Sequence, residues 1–339
     1  MLLPSGHAVL IALAALACLC WSVWPNLIKA AGPRWRFELF YFDFAVGTVA
    51  AALLAAFTLG TFGSDLTFSD RLLIAGRSSQ AVAFGSGAIF NLGNMLLVAA
   101  VSLAGIAMAV PLSVGTGMVV ASCVDFYFNP QGNWMLAFAG AAMMVAGVWV
   151  DAAALRKRER EQPTAPGAKV RKRTSGRAIF ICLLSGLFWG ISYPVFEQVA
   201  PGDLGLGPYG ALVLVAVGVG VSTFFFNIYF MNIRMVGEQI KLKVYFRGTP
   251  KQHFAGFVGG ALWAAGALCC FLVATASPAF GAGPLFSLVI AASGAVLCVI
   301  WGALFWKEFA GTGPQTKGLA GAYTVLLLAG FMLLGVAYL

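Results

Sequence analysis

Long apolar runs, each closed by a short polar stretch, recur ten times along the chain. A bilayer core of ~30 Å is crossed by roughly 20 helical residues. Runs of that length fall at residues 8–30, 37–60, 81–101, 105–128, 134–154, 178–200, 208–233, 253–276, 283–305 and 318–339. They are continuous rather than alternating, which excludes the strands of a transmembrane barrel. The pattern predicts an all-α integral membrane protein with ten transmembrane helices. Met1 to Ala17 carries no Lys or Arg ahead of its apolar run and leads into a longer span. It therefore reads as part of the first helix and not as a cleaved signal.

Composition agrees. Of 339 residues, 60% are hydrophobic and 10% charged, too few charges to cover a water-soluble domain of this size. The 41 glycines suit helices that pack closely in lipid. Seven cysteines lie inside apolar stretches at spacings that match no zinc pattern, and read as small packing residues. The net charge of +9 does not point to nucleic acid, because the basic residues sit in loops beside spans. The one clear linker, residues 155–177, is rich in Arg, Lys, Pro and Gln. With this linker in the cytoplasm, every Lys and Arg except Arg71 and Arg77 falls on the cytoplasmic side. That bias is the orientation signal of an inner (plasma) membrane protein, and it sets both termini on the non-cytoplasmic side.

Five spans on each side of a linker make the second half (178–339) enter the membrane in the opposite sense to the first (1–154), the condition for an inverted repeat. Weak self-similarity accompanies it. At an offset of 173, Phe84, Gly87, Phe90, Gly93, Ser102 and Pro111 match Phe257, Gly260, Trp263, Gly266, Thr275 and Pro284. At an offset of 168, Trp21 matches Trp189 and Tyr41 matches Tyr209.

Few side chains in the spans offer chemistry. Asp43 lies about two turns inside the second span, where a carboxylate costs roughly 2.5–3.5 kcal/mol on insertion scales and should face a polar cavity. It is the proton-coupling candidate, unless it reaches headgroup water or pairs with Arg36. Glu38 and Glu197 sit nearer span ends and read as interfacial. Asn91 and Asn94 are one turn apart on one face; they suit a neutral polar solute or hydrogen bonds between helices. Trp21, Phe90, Trp189 and Trp263 recur at matching positions and could stack on sugars or planar heterocycles, with Tyr209 beside them as a further binding candidate. Trp35, Trp134 and Trp306 read as interfacial belt residues. Pro25, Pro111, Pro194 and Pro284 interrupt or open spans, and are candidates for helix breaks that gate the site. There is no Walker-type phosphate loop, metalloprotease helix or nucleophile elbow. His7 and His253 support no metal site.

Several segments resemble the ureide permeases and the related glucose/ribose and rhamnose uptake families of the drug/metabolite transporter superfamily. They are Tyr41-Phe-Asp43, Leu92-Gly-Asn94, Asn227-Ile-Tyr-Phe230, the run from Lys243 to His253, Gly283-Pro-Leu-Phe286, Trp306-Lys-Glu-Phe309 and Ala322-Tyr-Thr-Val-Leu326. The resemblance implies ten helices with a central cytoplasmic loop. It also implies uptake of allantoin-like ureides, nucleobases or sugars, coupled to protons. The phosphate-loop-like motif in the longer central loop of plant ureide permeases is missing here. Glu308 matches an acid common in the superfamily and reads as structural, through Lys307 or a helix end. The combined expectation is a non-enzymatic secondary transporter without cofactors. Its partners are a small-molecule substrate, a proton or other coupling ion, and the lipid bilayer. An exporter of the same fold is the alternative; a channel or an intramembrane enzyme fits less well.

Overall fold

The computed structural model describes residues 1–128, 130, 132–161, 175–198, 205–276 and 284–339. All regular structure among them is helical: α1 His7–Ala30, α2 Phe37–Phe57, α3 Phe68–Ile74, α4 Arg77–Ala104, α5 Ile106–Phe128, α6 Trp134–Glu161, α7 Ser175–Ile191, α8 Val195–Gln198, α9 Gly207–Asn232, α10 Pro250–Ala276, α11 Pro284–Ala292, α12 Gly294–Ile300 and α13 Pro314–Ala337. Among the described residues nine helices are long and apolar enough to cross a membrane, α11 and α12 counting as parts of one, Leu285–Phe305. This is the pattern of a multi-pass membrane protein. The predicted sixth span emerges as α7, apolar but only 17 residues long. Outward faces display Leu54, Phe57, Phe225, Leu304 and Val325, a belt of apolar surface that water would not tolerate and lipid covers.

The helices start and stop where local chemistry requires. Two elements escape the hydrophobic pattern. One is α3, opened by the Thr67 hydroxyl, which accepts the Asp70 N–H at 3.2 Å. The other is a 3-10 turn, Leu242–Arg247, between α9 and α10. Helix α6 runs beyond the predicted span to Glu161, so the linker begins as helix, and α7 resumes at Ser175. Residues 162–174, 199–204 and 277–283 lie outside the described set, including Gly281 to Gly283 ahead of Pro284. Between α4 and α5 a single residue makes the connection. Gly105 has φ +85°, a region closed to side chains, and a Cβ there would strike the Glu308 carboxylate at 2.6 Å.

We call the end of the bundle where α6 finishes the linker face, and the opposite end the termini face. Helices α4, α5 and α10 are the most enclosed. α10 packs on α1 and α2, α4 on α7 and α9, α5 on α7, α1 on α11 and α12, α2 on α9, and α6 on α13. Two crossings bring backbones into contact. A methyl in place of a hydrogen on Gly47 would stand 2.0 Å from the Phe257 carbonyl oxygen, and one on Gly260 1.9 Å from that of Phe44. Across α4 and α9 the same happens between Gly218 and Phe84 and between Gly87 and Val215, both at 2.3 Å. Only glycine permits such approach.

Prolines are absorbed differently. Pro25 and Pro111 lie inside continuous helices, Pro194 falls in the turn between α7 and α8, and Pro284 opens α11. Pro111 cannot donate to the Ala107 carbonyl. The Tyr323 hydroxyl from α13 donates to that oxygen instead, at 2.6 Å.

Candidate functional site

A cavity of about 40 Å³ lies between α1, α4, α7, α9, α10 and α11. Trp21, Phe90, Trp189 and Trp263 all line it. Phe90 stacks on Trp263 with ring centroids 4.5 Å apart and planes at 28°. Trp21 meets Trp189 edge-on at 6.0 Å. The Trp21 indole N–H donates to the Trp263 carbonyl at 3.3 Å, which fixes one ring against another helix. Phe271 and Leu288 complete the wall toward the termini face. The second span, whose Asp43 is expected to face a polar cavity, supplies no lining residue here; α9 supplies Val215 and α8 Val195 and Phe196.

Polar groups on the wall are few. Ser192 donates to the Trp189 carbonyl at 2.6 Å. The Tyr193 hydroxyl donates to Asp125, a buried acid behind the wall that hydrophobic patterning did not single out. Among the described residues, no lining side chain is an ionisable acid, Lys, Arg or His. Such a wall is chemically suited to stacking against flat or ring-shaped neutral groups. The volume is far below the roughly 300–1,000 Å³ of small-molecule pockets, so entry requires the helices to part. On its linker side Trp263 meets Phe44 at 6.4 Å, and Phe44 packs on Trp24 and Tyr41. This buried aromatic layer separates the cavity from the linker face.

Asn91, Asn94 and Tyr209 sit elsewhere. Asn91 donates to Ser222 and Thr223 of α9 at 2.7 and 3.0 Å. Asn94 donates to the Tyr41 hydroxyl at 3.1 Å. Both carboxamides are buried between helices, since an unpaired amide in an apolar interior is costly. The Tyr209 hydroxyl donates to the Leu2 carbonyl at 2.9 Å and holds the N-terminal segment.

Asp43 is also away from the cavity, on the linker side of the Phe44 layer. It is buried, and its partner is not Arg36. The Tyr245 hydroxyl, from the 3-10 turn, donates to Asp43 Oδ1 at 2.6 Å. His253 Nδ1, in the first turn of α10, lies 3.1 and 3.0 Å from the two carboxyl oxygens. Trp35 covers this cluster, its ring 5.1 Å from that of His253. It is thus a buried packing residue and not an interfacial one, whereas Trp134 is exposed as a belt residue would be. Burial first, and then the bond to Asp43, pushes the Tyr245 pKa upward, so the hydroxyl remains a donor. Sequence reasoning passed over both partners. Their signal was the resemblance run that holds Tyr245 and His253 eight residues apart.

Glu38 is fully buried and not interfacial; it is ion-paired with Arg36, and its carbonyl accepts from Asn227 at 2.6 Å. Glu308 is a hub at the linker face. Its carboxylate accepts the Ile106 and Ala107 N–H groups at 2.8 and 2.9 Å, capping α5, pairs with Lys29, and lies 3.8 Å from Arg158. Lys307 is not its partner. Asp151 in α6 is wholly buried with neither oxygen hydrogen-bonded. Among the described residues no cluster of His, Cys, Asp and Glu could hold a metal.

No family model matches the chain. A solved crystal structure aligns with 98% of both chains at a TM-score of 0.57 and 14% identity, a likeness of fold alone. A Listeria monocytogenes protein named for sugar uptake is 24% identical over 332 residues, covering 96% of this chain and 99% of that protein. Ureide permease 2 of Arabidopsis thaliana is 26% identical over 152 residues, 43% of this chain and 38% of that one. The chain is therefore similar, along almost its whole length in one case and over part of it in the other, to members of the sugar- and ureide-uptake families.

Proposed function

We propose that this chain is a secondary transporter that carries a small neutral polar solute, a ureide, nucleobase or sugar, into the cell in symport with protons. The observation that carries the reading is the mid-depth cavity walled by Trp21, Phe90, Trp189 and Trp263, with no charged side chain among its described lining residues. Names of similar proteins, one for sugar uptake and one for ureide permeation, support the substrate class. Because the cavity is small and the Phe44, Trp24 and Tyr41 layer lies on its linker side, solute entry would require the helices to part.

Alternation follows from an inverted repeat, and the packing supports one. Exchanging each span with its counterpart five further on maps α1–α10 contact onto α7–α4, α2–α10 onto α9–α4, and α5–α7 onto the α11/α12–α1 pair. The α2–α9 and α6–α13 contacts map onto themselves. The tight crossings obey the same exchange: Gly87 corresponds to Gly260 at the offset of 173, but Gly47 corresponds to Gly218, an offset of 171. In that register the counterpart of Asp43 is Leu214, so the second half again lacks an acid there. In this reading the linker face is cytoplasmic, the termini lie outside, and Asp43 couples transport to protons.

A thermal-shift screen of the purified protein against allantoin, nucleobases, rhamnose, glucose and ribose tests the reading, because a ligand that binds only the folded state raises its apparent stability. One class should raise the melting temperature, and Trp263→Ala should abolish that rise. A ligand-induced rise unaffected by removal of Trp263 would place the solute elsewhere.

A further inference from the structure

We infer that His253 is the conduit through which the coupling proton leaves Asp43 for the linker-side solution, with Tyr245 as the latch that holds this site shut. The inference rests on the coupling role proposed for Asp43. Its own basis is geometric. The Asp43 side chain is 10% exposed and that of His253 31%, so the imidazole bridges a buried carboxyl and solvent. Nδ1 faces both carboxyl oxygens, at 3.1 and 3.0 Å. Nε2 points the other way, toward Gly248, where an added Cβ would lie 2.5 Å from it. A glycine at that position keeps a side chain off the outer nitrogen of this part-exposed ring.

The step balances without any other reactant. The Asp43 O–H bond breaks as Nδ1–H forms, giving a carboxylate and an imidazolium. The imidazolium then gives its Nε2 proton to linker-side water. What remains is a carboxylate accepting from the Nδ1–H tautomer and from Tyr245, an arrangement compatible with the Nδ1 and hydroxyl distances to Asp43. In this proposal the structure is assigned to the state after proton release, with the turn Leu242–Arg247 fastened to α2 by Tyr245. Other charged groups on the packed elements are otherwise placed: Glu38 pairs with Arg36 on α2, Lys251 is exposed on α10, and Lys243 and Arg247 on the turn are exposed or partly so. A neutral imidazole between carboxyl and water is a usual proton carrier.

The chain has two histidines, His7 and His253. In lipid nanodiscs, ¹⁵N-histidine-labelled protein in a His7→Asn background should show His253 as the Nδ1–H tautomer at neutral pH, and Asp43→Asn should shift it toward Nε2–H. A wild-type ring in the Nε2–H form, or one indifferent to Asp43→Asn, overturns the inference. In proteoliposomes, trapped pyranine reports protons carried with labelled allantoin, uracil, glucose, ribose or rhamnose. His253→Gln keeps a donor to Asp43 but cannot relay, so the proton-to-solute ratio should fall at least tenfold, whatever happens to the rate. An unchanged ratio overturns the conduit alone. Wild-type solute flux without proton movement overturns the coupling reading itself.

Discussion

Replacing Gly87 with alanine sets a methyl 2.3 Å from the Val215 carbonyl oxygen, whereas at Gly85, two residues earlier on α4, nothing lies within 4 Å. Ordinary contact begins at 3.4 Å, so α9 must retreat by the difference or the backbone must bend. Overpacking of this kind costs about 1–3 kcal/mol. Alanine in place of helical glycine returns about 0.5–1 kcal/mol through reduced chain entropy. Gly85→Ala should therefore stabilise by about 0.5–1 kcal/mol, and Gly87→Ala should lie about 1–3 kcal/mol below it, a net destabilisation of up to about 2.5 kcal/mol. Reversible unfolding by a denaturing detergent titrated into mixed micelles measures both. Phe90, one turn from Gly87, would also be displaced from its stack on Trp263, so solute affinity should fall only in the Gly87 variant. Two variants of equal stability, or a stabilised Gly87→Ala, would mean that α4 and α9 do not touch through their backbones.

Further outcomes follow from the site. Asp43→Asn should lose pH-driven accumulation while retaining solute exchange, which vesicle uptake with and without a pH gradient distinguishes. Trp189→Phe should keep part of the stacking wall and lose an N–H, whereas Trp189→Ala should abolish any solute-induced melting shift. Glu308→Gln leaves the buried Arg158 without its carboxylate, and thermal denaturation should show a loss of about 3 kcal/mol, the low end for a broken buried pair. Because the Tyr245 pKa is raised in the folded state, its latch contact is fully present below the ordinary tyrosine value near 10 and is lost only as pH climbs through the higher folded value. Phenolate absorbance from pH 9 to 11 should accordingly be the same in wild type and Tyr245→Phe.

The spans were legible because lipid imposes one simple rule, a long apolar run. The four aromatic rings of the cavity were legible for a related reason, since Trp21 and Trp189, and Phe90 and Trp263, stand at matching positions in the two halves. Polar contacts were not. Whether Asn91 faces a solute or Ser222 depends on how α4 is rotated against α9, which the pattern of apolar residues does not fix. The partners of Asp43 come from 202 and 210 residues away, across a connection whose 3-10 turn has no hydrophobic signature. In the proposed repeat, the offset of 168 that pairs Trp21 with Trp189 becomes 171 at the α2–α9 glycines, so Tyr41 and Tyr209 are not counterparts in that register. A repeat of that kind has connections of unequal length in its halves, which a fixed offset in the sequence does not follow.

Among the described residues, the Lys29 and Arg158 pairs with Glu308 and the His253–Asp43 contact join distant parts of the chain at the linker face. The Arg71–Asp65 pair at the other end stays within a single connection. Opening the linker face means stripping a carboxylate from its cations and from the start of α5. In the proposed orientation, with the linker face cytoplasmic, the Glu308 hub is a clasp on the interior door.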